Sequence, residues 1–377
     1  MKTVTVNLAE RSYPVHVGPG SRATLSELCQ SAPTPRQIVI IADETVAGLH
    51  LDTLLAALPA EPIVARVPAG ESSKSVATAE RLYDALAAAR VERNDLILTF
   101  GGGVVGDLGG FAAATWLRGL RFVQIPTTLL AAIDASVGGK TGVNHPAGKN
   151  LVGAFHQPIG VVADTDFLAT LPPRDFTAGL AESVKHALIR DADFLEWHET
   201  QADAICALDA DVLTELIGRN VAIKANVVSQ DEREHGLRAI LNFGHTIGHA
   251  IEHVLHFDLR HGECVALGMV AANRIAVARG MIAAEVGERT VRLLSIPGGK
   301  AVPDHGHNGL ELTLVLQGSF QDQTGHYRRG DVQVVADEVE HTPVADAGPT
   351  CICLAATDAP LRFNALIPRL LQGVFRI

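Results

Sequence analysis

The chain has 377 residues, enough for two or three domains, and sets 31 basic against 42 acidic residues for a formal charge of −11. That balance excludes a general nucleic-acid or membrane-surface role, although an acidic protein can still hold a local basic pocket. The five cysteines, Cys29, Cys206, Cys264, Cys351 and Cys353, form no CxxC pair and no disulfide framework, which points to a reducing cytosol.

The opening MKTVTVNLAERSYPVHVG alternates as a strand does and lacks the apolar core of a signal peptide. Apolar runs bounded by turn residues follow at 37–43, 61–70, 94–103 and 120–128, separated by helical stretches at 44–58, 75–90 and 104–117. This alternation predicts an α/β domain over 1–170 with a mainly parallel sheet of buried strands. The longest apolar candidate, Phe122 to Gly139, is broken by Gln124, Pro126 and Asp134, so no membrane span and a cytoplasmic location are expected. From 171 to 292 the spacing turns helical, predicting an all-α domain. After Ser295 the rhythm is that of strands with glycine turns, predicting a small all-β domain over 293–377.

Three segments carry chemistry. LTFGGGVVGDLGGFAAA places three glycines between a buried strand and a helix start, where free N–H groups and the helix dipole suit a phosphate. It lacks the GxGxxG spacing, and a plain tight turn is the alternative. PTTLLAAIDASVGGKTGVNHPAGKNLVGAFHQP holds Thr127, Thr128, Asp134, Lys140, Lys149 and Asn150 in an apolar setting, and glycine pairs flank lysines in what reads as an anion-binding loop. His245, His249 and His253 recur at four-residue spacing, hence on one helix face, with His256 and His261 just beyond. Five histidines in 17 residues suit a catalytic zinc-type site, although spacing does not choose which of them ligate. Glu182 and Lys185, three apart on a helix, offer a carboxylate to that site or form a surface ion pair.

Together GESSKS, GGGVVGDLGGFAAATWLRG, QIPTTLLAAIDASVGGKTGVN, GKNLVGAFHQP, LAESVKHALI, LNFGHTIGHAIE and HGECVALGM resemble the 3-dehydroquinate synthase family of the shikimate pathway. The resemblance runs to about residue 290. It implies a catalytic zinc or cobalt ion on Glu182, His245 and His261. It implies NAD on Asp43, Glu71, Lys74, Gly102, Gly103, Asp107, Thr127 and Thr128, with Lys140, Lys149, Phe167 and Thr170 nearby. The implied substrate pocket comprises Asp134, Lys140, Asn150, Lys185, Lys224, Arg238, Asn242 and His249, with Arg118 reaching in from a second subunit of a homodimer. The implied substrate is the acidic phosphate ester 3-deoxy-D-arabino-heptulosonate 7-phosphate. The implied chemistry is a redox-assisted elimination: the metal polarises a hydroxyl, NAD takes and returns a hydride, and phosphate leaves in between.

The family continues with further helices and a lysine-rich motif, and neither is matched here, since Lys300 is the only lysine after Lys224. Instead Gly299, His305, His307, Glu311 and Gly318 stand at the spacing of a first cupin motif, and His341 at that of a degenerate second one. His305, His307 and Glu311 share parity, so one strand would turn them to one face as a second, zinc-type metal site. HNGLELTLVLQGSF and CICLAATDAPLRFNALIPRLLQ are similar to the cupin-like C-terminal domain of ChrR-type anti-sigma factors. That family's N-terminal zinc-binding partner is missing, so sigma-factor binding is not expected. The two resemblances meet at VRLL, 291–294, inside both families, which reads as a chimeric joint rather than a fusion of whole domains.

Two other functions remain in view. One is an NAD- and metal-dependent polyol or glycerol dehydrogenase, against which Lys140, Lys149, Lys224 and Arg238 argue, because a neutral polyol needs none of them. The other is an inactive scaffold whose working part is a metal-sensing tail.

Overall fold

The computed structural model describes residues 1–254, 259–294, 305–307, 311–328, 331–335, 340–341, 344–346, 352–357 and 361–363. The chain divides into two compact units, Met1–Thr290 and Val291–Ile377.

The first unit opens on β1 (Lys2–Val6), β2 (Tyr13–Val17) and α1 (Leu25–Gln30). Strands and helices then alternate: β3 (Ile38–Asp43), α2 (Glu44–Leu55), β4 (Ile63–Val67), α3 (Val76–Ala88), β5 (Leu96–Gly101), α4 (Gly103–Thr115) and β6 (Arg121–Pro126). A π-helical turn over Ala131–Ala135 leads into β7 (Lys140–His145), β8 (Gly148–Phe155) and β9 (Gly160–Ala163). Six helices follow, α5 (Pro173–Arg190), α6 (Ala192–Cys206), α7 (Ala210–Gln230), α8 (His245–Val254), α9 (His261–Ala278) and α10 (Ala284–Leu294).

Seven strands form one sheet in the order β1-β2-β9-β6-β5-β3-β4, parallel throughout except for the β1–β2 pair. Every residue of β5 and β9 is buried, as expected of strands covered on both faces. The chain leaves β3 towards β4 on one side and returns to β5 on the other. The carboxyl ends of β3 and β5 therefore flank a topological switch point, the usual place for a ligand crevice in such sheets.

Four of the described helices are capped by short polar side chains. Asp43, Ser75, Asp191 and Asp209 each accept first-turn N–H groups, of α2, α3, α6 and α7 respectively. Glycine lets α8 and α9 approach backbone to backbone. A Cβ on Gly268 would lie 1.9 Å from the Gly244 carbonyl oxygen, and one on Gly248 would lie 2.9 Å from that of Cys264. This contact sets the histidines of α8 beside the first residue of α9.

The second unit is antiparallel: β10 (His305–His307), β11 (Glu311–Gln317), β12 (Ser319–Asp322), β13 (Gly325–Arg328), β14 (Val332–Val335), β15 (Glu340–His341), β16 (Val344–Ala345), β17 (Ile352–Thr357) and β18 (Leu361–Phe363). They pair as β15-β10-β18, β14-β11-β17 and β13-β12-β16.

The structure corrects two expectations. Lys140 and Lys149 lie on the two strands of the β7–β8 hairpin and not in a loop, because its glycines serve strand contact: a Cβ on Gly153 would lie 2.3 Å from the Thr141 carbonyl oxygen. Glu311 opens β11, a different strand from β10, so shared parity holds for His305 and His307 alone. The β10–β15 register does set His305 opposite His341, while the side chains of all four expected cupin ligands lie outside the described residues. Among the described residues no helix is long and apolar enough to cross a membrane.

Gly268→Ala should therefore wedge α8 from α9. The expected loss is about 1–3 kcal/mol, an overpacking cost, read as a lower urea midpoint for the transition of the first unit. An unchanged midpoint would show that the helices can separate without cost.

Candidate active site

The crevice at the switch point is built from strand ends. Asp43 closes β3 and accepts the N–H groups of Thr45 at 2.8 Å and Val46 at 3.1 Å. Gly101 closes β5 at φ +158°, and a Cβ there would lie 3.1 Å from Cβ of Asp43. Gly102 precedes α4 without any side-chain cap, so the first-turn N–H groups of Gly103 and its neighbours face the crevice with the positive end of the helix dipole. A Cβ on Gly102 would come within 3.1 Å of Thr128.

Thr127 at the end of β6 donates its N–H to Gly101 at 3.0 Å, and its buried Oγ1 has no hydrogen-bond partner. One turn into α4, Asp107 holds buried Lys74 at 2.5 Å, and Glu71 accepts the Asn144 amide at 2.8 Å. On the far lip, buried Phe167 packs edge-on to His50 at 5.2 Å, and the Thr170 hydroxyl lies 2.6 Å from the same ring.

Below the crevice runs a row of alternating charges. Lys224 on α7 contacts Asp134 in the π-helical turn. Asp134 also accepts Lys185 of α5 at 3.2 Å, and Lys185 contacts Glu182 one turn back on the same helix. Oε1 of Glu182 faces Nε2 of His245 at 3.5 Å and Nε2 of His261 at 3.3 Å. Glu182 and Lys185 are almost wholly buried, so their pairing is no surface ion pair.

Burial alone would raise the carboxyls of Asp134 and Glu182. The lysines outweigh it for Asp134, and Lys185 with the histidines does so for Glu182, so both stay below the usual carboxylate range. Burial lowers His261, yet Glu182 and Glu252 more than compensate and lift it to about 9. Burial and the neighbouring cations Arg238 and Lys185 hold Lys224 below an ordinary ammonium despite Asp134.

His245, His249 and His261 bring one nitrogen each within 4.8 Å of one another. Only His245 and His261 also stand at ion-pair distance from Glu182. Oε1 of that buried carboxylate has no hydrogen-bond partner and is aimed at the two rings, a nitrogen and oxygen donor set suited to a zinc- or cobalt-type ion. His253 shares α8, though its side chain lies outside the described residues, as does His256 entirely.

The remaining expected residues sit around this row. Lys140 contacts Glu234, which also accepts the Asn242 amide at 3.0 Å. Arg238 is fully buried and donates to the Gly138 carbonyl at 3.1 Å. Asn150 is exposed with φ 54°, and Arg118 is exposed on a turn after α4 at φ 70°. Lys140, Lys149 and Lys224 are thus each matched by a carboxylate, which the sequence-based picture of a basic pocket did not foresee. Glu234 and Glu252 were missed. Glu252 stands seven residues after His245, so the 0, 4, 7 spacing of His245, His249 and Glu252 was the available signal.

Comparison with known proteins shows what the chain is similar to. The 3-dehydroquinate synthase N-terminal family matches residues 64–178, the 3-dehydroquinate synthase C-terminal family 179–310 and the ChrR Cupin-like domain 269–359. A 3-dehydroquinate synthase of Pseudomonas fluorescens (strain SBW25) is 48% identical over 305 residues, 80% of this chain and 83% of the relative. Among solved structures, a 2-deoxy-scyllo-inosose synthase complexed with carbaglucose-6-phosphate, NAD+ and Co2+ superposes with a TM-score of 0.72 at 30% identity, covering 78% of this chain and 80% of the other. ValA, a 2-epi-5-epi-valiolone synthase from Streptomyces hygroscopicus subsp. jinggangensis 5008 with NAD+ and Zn2+ bound, gives 0.70 at 32% identity, covering 77% and 82%.

Asp134→Ala takes the paired carboxylate from buried Lys224 and leaves Lys185 on Glu182 alone. It should cost about 3–5 kcal/mol in chemical denaturation. Adding Lys224→Met should recover part of that loss, and equal stability of the single and double variants would refute the pairing.

Proposed function

The chain belongs to the 3-dehydroquinate synthase family, and we propose that it converts 3-deoxy-D-arabino-heptulosonate 7-phosphate to 3-dehydroquinate and phosphate, using NAD and a divalent metal. One observation carries the reading of the site: the Oε1 atom of Glu182, buried, without a hydrogen-bond partner and facing His245 and His261, stands at one end of the Asp134–Lys185 charge row.

Glu182, His245 and His261 are the metal ligands in this proposal. Asp43, Glu71, Lys74, Gly102, Gly103, Asp107, Thr127, Thr128, Phe167 and Thr170 hold the dinucleotide, with Lys140 and Lys149 at the reacting end. When bound, the metal supplies Lewis acidity to a substrate hydroxyl, and NAD supplies a reversible hydride acceptor.

The chain's own groups do the rest. Asp134, pinned by Lys185 and Lys224, orients those two ammonium groups towards the substrate. Lys140, Asn150, Arg238, Asn242 and His249 receive its anionic groups, and Arg118 comes from the second subunit of a homodimer. Because Lys140 and Lys149 already face carboxylates, the substrate's phosphate and carboxylate must compete with Glu234 and Glu252 for them. A neutral polyol would have no such anions to bring, which favours the synthase reading over a dehydrogenase.

For the tail we propose a second metal site on His305, His307, Glu311 and His341. The facing register of His305 and His341 supports it.

Purified full-length protein supplied with NAD and zinc should release phosphate from the heptulosonate phosphate, and no release would point to the inactive scaffold instead. His245→Ala should abolish the release and remove about one equivalent of metal, while Glu311→Ala should remove about one other equivalent. If the double variant loses no more metal than either single one, the two-site assignment fails.

A further inference from the structure

Glu252 is a buried acid to which the assignments above give no role. It lies on α8 with His245 and His249 and is only 5% exposed. Its two oxygens face different partners. Oε1 accepts Nζ of Lys149 at 2.9 Å, and Oε2 lies 3.6 Å from Nδ1 of His261. The other ring nitrogen of His261, Nε2, is the one facing Glu182. Lys149 in turn lies 3.7 Å from Glu71, whose carboxylate holds Asn144 of the β7–β8 hairpin. One carboxylate therefore stands between the metal-facing histidine and the hairpin lysine beside the dinucleotide crevice.

We propose that Glu252 is a positioning residue that holds His261 through Nδ1 and Lys149 through Nζ at once, and so couples the metal site to the lip of the dinucleotide crevice. The proposal rests on the reading of Glu182, His245 and His261 as metal ligands. A carboxylate at Nδ1 fixes the imidazole tautomer with its proton there, leaving the Nε2 lone pair directed at the metal position. The same charge keeps the Lys149 ammonium from wandering, because a partly buried cation seeks the nearest anion. Neither job needs contact with substrate, which separates Glu252 from the catalytic residues. Both jobs use the same side chain, which makes them dependent on each other.

The shape of the carboxylate makes this testable. In Glu252→Gln only one of the two oxygens remains an acceptor, and the NH2 group can face neither Lys149 nor an Nδ1–H. The amide must choose. Cobalt titration of the full-length protein, followed by its visible absorption band, reads the metal site without turnover, and the band lost in His245→Ala identifies the site. Glu252→Gln should weaken cobalt binding by about 10- to 100-fold and alter the band, with Glu252→Asp recovering part of the affinity. In a Lys149→Ala background the amide oxygen is free to face Nδ1, so the same Glu252→Gln change should cost markedly less.

Wild-type cobalt affinity and an unchanged band in Glu252→Gln would overturn the proposal while leaving the ligand assignment standing. An equal cost in both backgrounds would overturn the sharing of the carboxylate with Lys149. In a Glu311→Ala background, which removes the proposed tail site, a cobalt band that persists in His245→Ala would overturn the ligand assignment, and the proposal with it.

Discussion

The first unit is organised by a buried row of opposite charges, from Lys224 through Asp134, Lys185 and Glu182 to His261, Glu252 and Lys149. Burying so many charges is costly, and each is tolerable only because its neighbours carry the opposite sign. The row draws on parts far apart in the chain: the π-helical turn after β6, the hairpin strand β8, and helices α5, α7, α8 and α9. It therefore fixes the helical layer against the sheet layer as well as arranging the site. An apolar replacement of similar volume could be as stable, so the row is better explained by the chemistry it aligns than by the stability it adds.

The glycine contacts serve that alignment. Glu182 can address His245 and His261 together only if α8 and α9 cross closely, and Gly244, Gly248 and Gly268 remove the side chains that would hold them apart. Gly262 does the same between α9 and α5, where a Cβ would fall 1.8 Å from the Ala178 carbonyl oxygen. Packing and chemistry are thus set by the same positions. The arrangement tolerates little substitution there, because the atoms to be avoided are backbone and cannot rotate away.

Much of this was legible before any coordinates. The strand–helix rhythm located the parallel sheet, and four-residue spacing put His245 and His249 on one helix. What periodicity could not reveal was pairing across elements. Glu182 precedes His245 by more than sixty residues, and no local pattern says that they meet. The hairpin was misread because glycine flanking a lysine suits a tight loop and a closely packed strand pair equally well. Glu252 was hidden by the five histidines around it, which drew the spacing argument to themselves. The matching of each pocket lysine by an acid likewise depends on tertiary contacts, so a count of basic residues in the motifs overstated the local positive charge.

The two family matches overlap over residues 269–310, and the position of that overlap matters for function. His261, which faces Glu182, and Gly262, Cys264, Val265 and Gly268, which seat it against α5 and α8, lie upstream of it, in the first turns of α9. Their geometry depends on α5 and α8, which belong wholly to the synthase part. The lysine motif that the resemblance implies is not matched in the sequence after Lys224, where Lys300 is the only lysine. The geometry of Glu182, His245 and His261 is set by α5, α8 and α9, whose glycine-lined crossings all lie within the first unit.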